Sequence, residues 1–348
     1  MIVYFIIVLL CLILTALKGG FGRMITLAVI CLLLTTTYYN GSDWRTYELT
    51  YDGYLSPPPY WEPGFLVYME LFRAAGANYH VFAIVSKIVI FIISIAFFFR
   101  HSPRPYFSAA LYALLSGPAF YIDDPLRQMV ALSLFLAALN FIAEGKEVRF
   151  YLAILLGFQF HQSVILFAPL YRLGLITKLR REAALFYVFI TAIFAAVFII
   201  YSNVYETFSY YERHYLSNAE FSFGLTILCF LYLFCVVVAT RKSMSIANVR
   251  LPLFALAAVY CIVGLFASAN TDFLRINHYL VFGFILYFSH GDGGKSRFAR
   301  LSVIAIAMAL FLNLTLLDYR YIPYTNYLQA LLTDGELSFV ERSRVHLR

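Results

Sequence analysis

Long apolar runs, broken by short clusters of charge, recur along the whole chain. Runs at 2–17, 24–39, 80–99, 106–122, 127–143, 184–202, 222–240, 251–269, 276–290 and 301–317 approach the roughly 20 residues that a helix needs to cross a bilayer. They predict an all-α polytopic membrane protein, a single integral membrane domain over residues 1–348 with about ten crossings. Two stretches do not fit a simple crossing. Residues 61–76 are short and carry Glu70 and Arg73, which suits an interfacial or re-entrant helix. Residues 151–176 are too long for one straight pass and are interrupted by Gln159, His161, Gln162 and Pro169, which suits a hairpin of two short arms.

Positive charge orients the runs. If 61–76 does not cross and 151–176 enters and returns, then Lys18, Arg23, Arg100, Arg104, Lys146, Arg149, Lys178, Arg180, Arg181, Arg241, Lys242, Arg250, Lys295, Arg297 and Arg300 all face one side. That side is the cytoplasm. Both termini then lie outside, with outer loops at 40–79 and 203–221. The outer face gathers Asp43, Glu48, Asp52, Glu62, Asp123, Asp124, Glu206, Glu212, Glu220 and Asp272, together with Arg127, Arg213 and Arg275. The tail after Leu317 joins that face.

Composition acts mainly by exclusion. A chain of 348 residues that is 62% hydrophobic and 13% charged is not a soluble domain. Its net charge of +7 needs no nucleic acid, because basic cytoplasmic loops account for it. The run at 2–17 has no basic residue before it and no small-residue cleavage site after it, so it reads as a retained helix. Cys11, Cys31, Cys229, Cys235 and Cys261 all sit in apolar runs and read as small hydrophobes.

The densest charge beside any membrane-length run is Asp123-Asp124-Pro125-Leu126-Arg127-Gln128. Asp before Pro is a helix-start signal, with Asp124 as cap and Pro125 in the first helical position. Arg127 then stands in the first turn, beside unpaired N–H groups and the positive end of the helix dipole. Such a place suits a phosphate or diphosphate. Arg275 is its counterpart, on a helix that Thr271 or Asp272 can cap. Each arginine alone reads more simply as snorkelling to the interface; as a pair on one face, their forks match a diphosphate.

The first outer loop holds Trp44, Trp61 and six tyrosines, Tyr47 among them, interleaved with Asp43, Arg45, Glu48 and Asp52. Aromatic faces beside carboxylates suit sugar rings, and an interfacial aromatic belt is the competing reading. The second outer loop repeats the flavour with Arg213 and His214 among tyrosines. His161, in Phe160-His161-Gln162-Ser163, falls near the turn of the hairpin. It can serve as general base, hold a sugar hydroxyl, or only bridge helices. Lys87 must lie inside the membrane if its run is to span; pairing with Glu70 is the simpler role, an anionic head group the other. There is no Gly-rich phosphate loop, no His-Glu-x-x-His, no Cys/His metal spacing and no Gly-x-Ser-x-Gly. Asp123-Asp124 is not a spaced Asp-x-Asp, so no metal and no cofactor is expected.

Gly41-Ser42-Asp43 with Tyr47, then Glu62-Pro63-Gly64-Phe65, Arg127-Gln128, His161-Gln162-Ser163 and Arg275-x-x-x-Tyr279 follow one another over roughly residues 38–285. In this order they resemble the EpsG/Wzy-type polysaccharide polymerases. The resemblance implies a GT-C-like helical bundle and a metal- and nucleotide-independent glycosyltransferase of the bacterial inner membrane, its site facing the periplasm. It would join undecaprenyl-diphosphate-linked oligosaccharide units at the outer leaflet into O-antigen (lipopolysaccharide), capsule or exopolysaccharide. Arg127 and Arg275 would hold the donor diphosphate, with Gln128, Tyr279, Trp44, Tyr47, Arg213 and Lys87 as further substrate-binding residues. His161, Asp43 and Glu62 would line the acceptor or take its proton. The partners implied are the lipid-linked oligosaccharide, membrane lipid, a chain-length regulator and a flippase. An O-antigen ligase and a lipid-linked oligosaccharide flippase or transporter are the alternatives; the first usually carries a larger outer loop, and the second expects repeated halves that this chain lacks.

Overall fold

The computed structural model describes residues 2–37, 40, 43–123, 125–171, 223–240, 257, 259–264, 272–290, 294–317, 324 and 326. Regular structure among them is helical throughout, apart from an isolated bridge between Thr37 and Asn326. The helices are α1 (Ile2–Ala16), α2 (Gly20–Thr35), α3 (Trp44–Tyr51), α4 (Pro63–Ala74), α5 (Tyr79–His101), α6 (Pro105–Ser116), α7 (Leu126–Ala143), α8 (Glu147–Phe158), α9 (Phe223–Thr240), α10 (Asp272–His290) and α11 (Gly294–Leu317). Their starts follow local chemistry. Asn78 caps α5 by accepting from Val81 N at 2.9 Å. Proline opens both α4 and α6, where a missing N–H costs nothing.

Helix α6 is the hub of the bundle. Ser108, Ala109, Ala110, Leu111, Tyr112, Ala113, Leu114 and Leu115 are all buried, on every side of the helix. Its small residues let α1, α5, α10 and α11 approach closely, as packing in lipid favours. Helix α5 packs beside it, and α7 runs parallel to α5. At their C-terminal ends Arg100 binds Glu144 at 2.9 Å and His101 lies 2.5 Å from Asn140. Lys146 and Arg100 together hold the Glu144 carboxyl below the usual carboxylate range. This is the basic end that the charge count assigns to the cytoplasm. Tyr324 docks at the opposite end, its hydroxyl donating to Leu33 O at 2.6 Å.

The outward surfaces of the bundle are apolar. Ile2, Phe5, Ile6 and Leu9 on α1, Val81, Val85, Val89 and Ile92 on α5, and Ile227, Phe230, Leu231 and Phe234 on α9 are exposed. Stripes of this kind on several helices exceed what a water-facing surface carries, and lipid is the solvent that suits them. By length and apolarity together, Tyr79–His101 and Arg297–Leu316 qualify as membrane spans, and Ile2–Ala16, Gly20–Thr35 and Leu126–Ile142 are shorter apolar helices. The crossing expected at 184–202 lies outside the described residues, and that at 251–269 is described, as helix, only at 257 and 259–264.

Two segments differ from a simple crossing. Helix α4 has 12 residues and packs its middle on the first turns of α5, with Phe65, Tyr68 and Phe72 around Phe82. The re-entrant or interfacial reading of 61–76 matches this arrangement. The hairpin also forms: α8 climbs along α7, turns at Gln159–His161, and continues as a 3-10 segment, Gln162–Phe167. By Tyr171 the chain is back beside the start of α8, its ring 5.4 Å from that of Phe150. Gly157 makes the close approach possible, since a Cβ there would stand 3.2 Å from Val164 Cγ1. Leu152, Leu155 and Leu156 face outward, so the arm lies in lipid.

The run at 106–122 is not one regular helix. The α-form ends at Ser116 and Gly117–Ile122 is π-helical, with Asp123 N bonded to Pro118 O at 2.9 Å. Pro118 supplies no N–H and crowds the preceding turn, so the ladder resumes in a wider register. Gly117 fits because Phe311 and Leu34 press on it; a Cβ there would be 3.1 Å from Phe311 Cε2.

Candidate active site

Four elements converge at the end of the bundle away from the Arg100–Glu144 pair: the start of α4, the first turns of α7 and α10, and the hairpin turn. Helix α7 begins at Leu126 with Pro125 at the N-cap, one residue later than the Asp-Pro pair suggests, and Asp124 lies outside the described residues. Arg127 is still in the first turn. Its Nη1 donates to Glu62 Oε2 at 2.7 Å and its Nε to the Tyr47 hydroxyl at 3.4 Å. The guanidinium also lies over the rings of Tyr60 (5.6 Å) and Trp61 (5.4 Å). The ion pair is deeply set, with side-chain exposures of 11% for Arg127 and 6% for Glu62. The other carboxylate oxygen of Glu62 accepts from the main-chain N–H of Gln162 at 3.0 Å. One carboxylate therefore ties α4, α7 and the hairpin together.

Gly64 explains why α4 can come so near. A Cβ on it would be 2.7 Å from both the Cβ and the carbonyl oxygen of Gln159. The helix start and the hairpin turn thus meet backbone to backbone.

His161 caps the 3-10 segment. Its Nδ1 accepts from Ser163 N at 3.3 Å and lies 2.6 Å from Ser163 Oγ, which in turn bonds the Tyr279 hydroxyl at 3.1 Å. A main-chain N–H can only donate, so this bond puts the ring proton on Nε2. In that form His161 offers a hydrogen bond to a ligand oxygen. Helix α8 has 12 residues, roughly 18 Å of rise, which is short of the about 30 Å of a bilayer's hydrocarbon core, so the turn that carries His161 comes before a full crossing is complete.

Helix α10 supplies the rest. Gln128 Nε2 donates to Arg275 O at 2.5 Å, which seats the first turns of α7 and α10 side by side. Arg127 and Arg275 both lie near enough to His161 to bear on it electrostatically. Tyr279 is buried against Phe135 and Phe167.

Other predicted residues lie at its edge. Asp43 and Trp44 open α3, one turn before Tyr47, and Trp44, Tyr47, Tyr51 and Trp61 are all buried. These four rings are packed inward, whereas Tyr54 of the same loop is exposed. A second buried pair beneath it, Glu48 and His80 at 3.5 Å, joins α3 to α5. Lys87 does not pair with Glu70. Its Nζ donates to Thr37 Oγ1 at 3.1 Å, while Glu70 binds Arg73 on the exposed face of α4. Thr37 passes the contact on to Tyr121 O at 2.5 Å, so Lys87 supports the π-helical turn that leads into Arg127. Thr37→Val removes the hydroxyl that accepts from Lys87 and donates to Tyr121 O and Leu34 O, and should lower stability by about 2–4 kcal/mol in thermal unfolding of the purified protein. Arg213 and the second outer loop fall outside the described residues.

The sequence reading missed His278. Its Nδ1 is buried with no hydrogen-bond partner among the described residues, and its ring meets that of Phe120 at 4.4 Å. A signal was present: His278 is three residues past Arg275, on the same helical face. Gln162 was missed as well, because what it contributes is a main-chain N–H.

An all-helical membrane protein with a buried arginine–carboxylate site near one face is the class that fold and site define. The EpsG family model matches residues 21–326, which includes every motif named above. The chain belongs to the EpsG family, and with it to membrane proteins with a glycosyltransferase-like, polysaccharide-polymerase type of role. No curated protein and no solved structure matches it.

Proposed function

We propose that this protein is a polysaccharide polymerase that joins undecaprenyl-diphosphate-linked oligosaccharide units at the outer leaflet of the bacterial inner membrane, with a GT-C-like bundle as its frame. The observation that carries the reading is the pair of arginines at adjacent helix starts, Arg127 and Arg275, held together by the Gln128–Arg275 bond. In the reaction an acceptor hydroxyl attacks the anomeric carbon of the donor sugar. The bond from that carbon to the diphosphate oxygen breaks, and its electron pair leaves on undecaprenyl diphosphate. Charge growing on the diphosphate meets two preorganised guanidinium groups and the positive ends of two helices, in a site poor in water. Arg127 has five N–H donors, of which Glu62 and Tyr47 take two. Nε2–H of His161 and the hydroxyl of Tyr279 are placed to orient sugar oxygens. Lipid on the flanks of α8 and α5 gives the prenyl chains a surface to lie on.

The test is reconstitution. Purified protein in lipid, given a defined undecaprenyl-diphosphate-linked repeat unit with chelator and without nucleotide, should yield a ladder of polymer. One undecaprenyl diphosphate should be released for each linkage formed. A protein that only moves the lipid-linked unit between leaflets, or yields a single transfer to a second lipid, overturns the reading.

A further inference from the structure

Glu62 stands where an anionic ligand of Arg127 would stand. Its two carboxylate oxygens are held by two groups that bind anions well, a guanidinium at 2.7 Å and a main-chain N–H at 3.0 Å. The contact is buried, and the same guanidinium is fixed by the Tyr47 hydroxyl and the rings of Tyr60 and Trp61. Those three contacts hold the arginine in place whichever anion it faces. The carboxylate is less constrained: only the Gln162 N–H would remain if Arg127 turned to another partner. Both oxygens are turned toward these two partners, so neither is directed at an acceptor hydroxyl while Arg127 holds the carboxylate. The histidines are no readier, since Nδ1 of His161 is occupied by Ser163 and Nδ1 of His278 is shut away from solvent.

We propose that Glu62 is a resident counter-anion that the donor's diphosphate displaces from Arg127, and that the carboxylate so released takes the proton of the acceptor hydroxyl. The proposal rests on the polymerase reading above. Exchange of one anion for another keeps Arg127 paired and leaves the buried Glu62 carboxylate without its cation, a state that favours uptake of a proton. It also sets an order. Until a donor is bound, the base is locked, and an acceptor or water at the site is not activated. When the donor binds, the acceptor O–H bond breaks with its proton on Glu62 and the new C–O bond forms at the anomeric carbon. The diphosphate then leaves with the electron pair, held by Arg127 and Arg275.

The experiment measures binding of undecaprenyl diphosphate to the full-length protein in lipid nanodiscs, beside polymerisation. Glu62→Gln keeps the shape and can still accept from Gln162 N–H, but it no longer competes as an anion. It should bind undecaprenyl diphosphate about tenfold tighter than the wild type while polymerisation falls at least about a hundredfold. Glu62→Asp keeps the charge but shortens its reach to Arg127. It too should bind more tightly, and should retain activity to within about tenfold. Equal or weaker binding by folded Glu62→Gln and Glu62→Asp, checked by thermal unfolding, overturns the exchange. A wild type that binds no undecaprenyl diphosphate, or an Arg127→Ala variant that binds it as tightly as the wild type, overturns the clamp itself. That outcome is distinct from failure of the exchange alone.

Discussion

Replacing Arg127 with alanine should abolish long polymer, leaving single repeat units in cells that otherwise show a ladder. Two losses add. The first is chemical: one of two cations facing the departing diphosphate disappears, and loss of a preorganised group of this kind costs roughly a hundredfold to a thousandfold in rate. The second is structural, because Glu62 is left buried without its guanidinium. Removing one partner of a buried pair costs about 3–5 kcal/mol. Arg127→Lys separates the two. Lysine keeps the charge but lacks the planar fork that spans Glu62 and Tyr47, so it should restore most of the thermal stability and only part of the polymer length. A normal ladder in Arg127→Ala cells would eliminate Arg127 from the site.

Gly64→Val should be the most damaging change at a residue that carries no chemistry of its own. The Cβ position is 2.7 Å from the Gln159 backbone oxygen, and backbone cannot swing aside as a side chain can. Overpacking of this kind typically costs about 1–3 kcal/mol. The effect on activity should be larger, because α4 and the hairpin turn can separate only by pulling Glu62 from Gln162 and Arg127. A misplacement of about 1 Å in a catalytic constellation is worth on the order of a hundredfold. Gly20→Ala in α2 is the control, since nothing lies within 4 Å of its Cβ position. Activity of the reconstituted protein should collapse in the first variant and hold in the second, with a modest drop in unfolding temperature only for Gly64→Val.

Much of this site was legible before any distance was known. Helix-start chemistry marked Arg127 and Arg275, and the outer-face count put them on one side of the membrane. The polar interruption at 159–162 marked a turn where a crossing could not continue. What a linear pattern could not supply was partnership. Glu62 and Arg127 are 65 residues apart, and nothing in the spacing says that one binds the other. Pairing with Glu70 is the simpler sequence reading of Lys87, yet its Nζ bonds Thr37, 50 residues earlier. The aromatic loop drew attention by composition, but composition does not tell an inward-packed ring from one that waits for a sugar.

The sequence by itself determined the class of the protein, its helical build and the helix starts that carry its arginines. These follow from local physics: apolar length, capping, and the cost of charge in lipid. Only the tertiary structure decided that Arg127 already holds an anion, that a glycine must stand at position 64, and that the proline turn before α7 rests on Lys87 through Thr37. Those depend on which surfaces meet when the helices pack, and hydrogen bonds between distant segments form only where that packing brings donor and acceptor to about 3 Å.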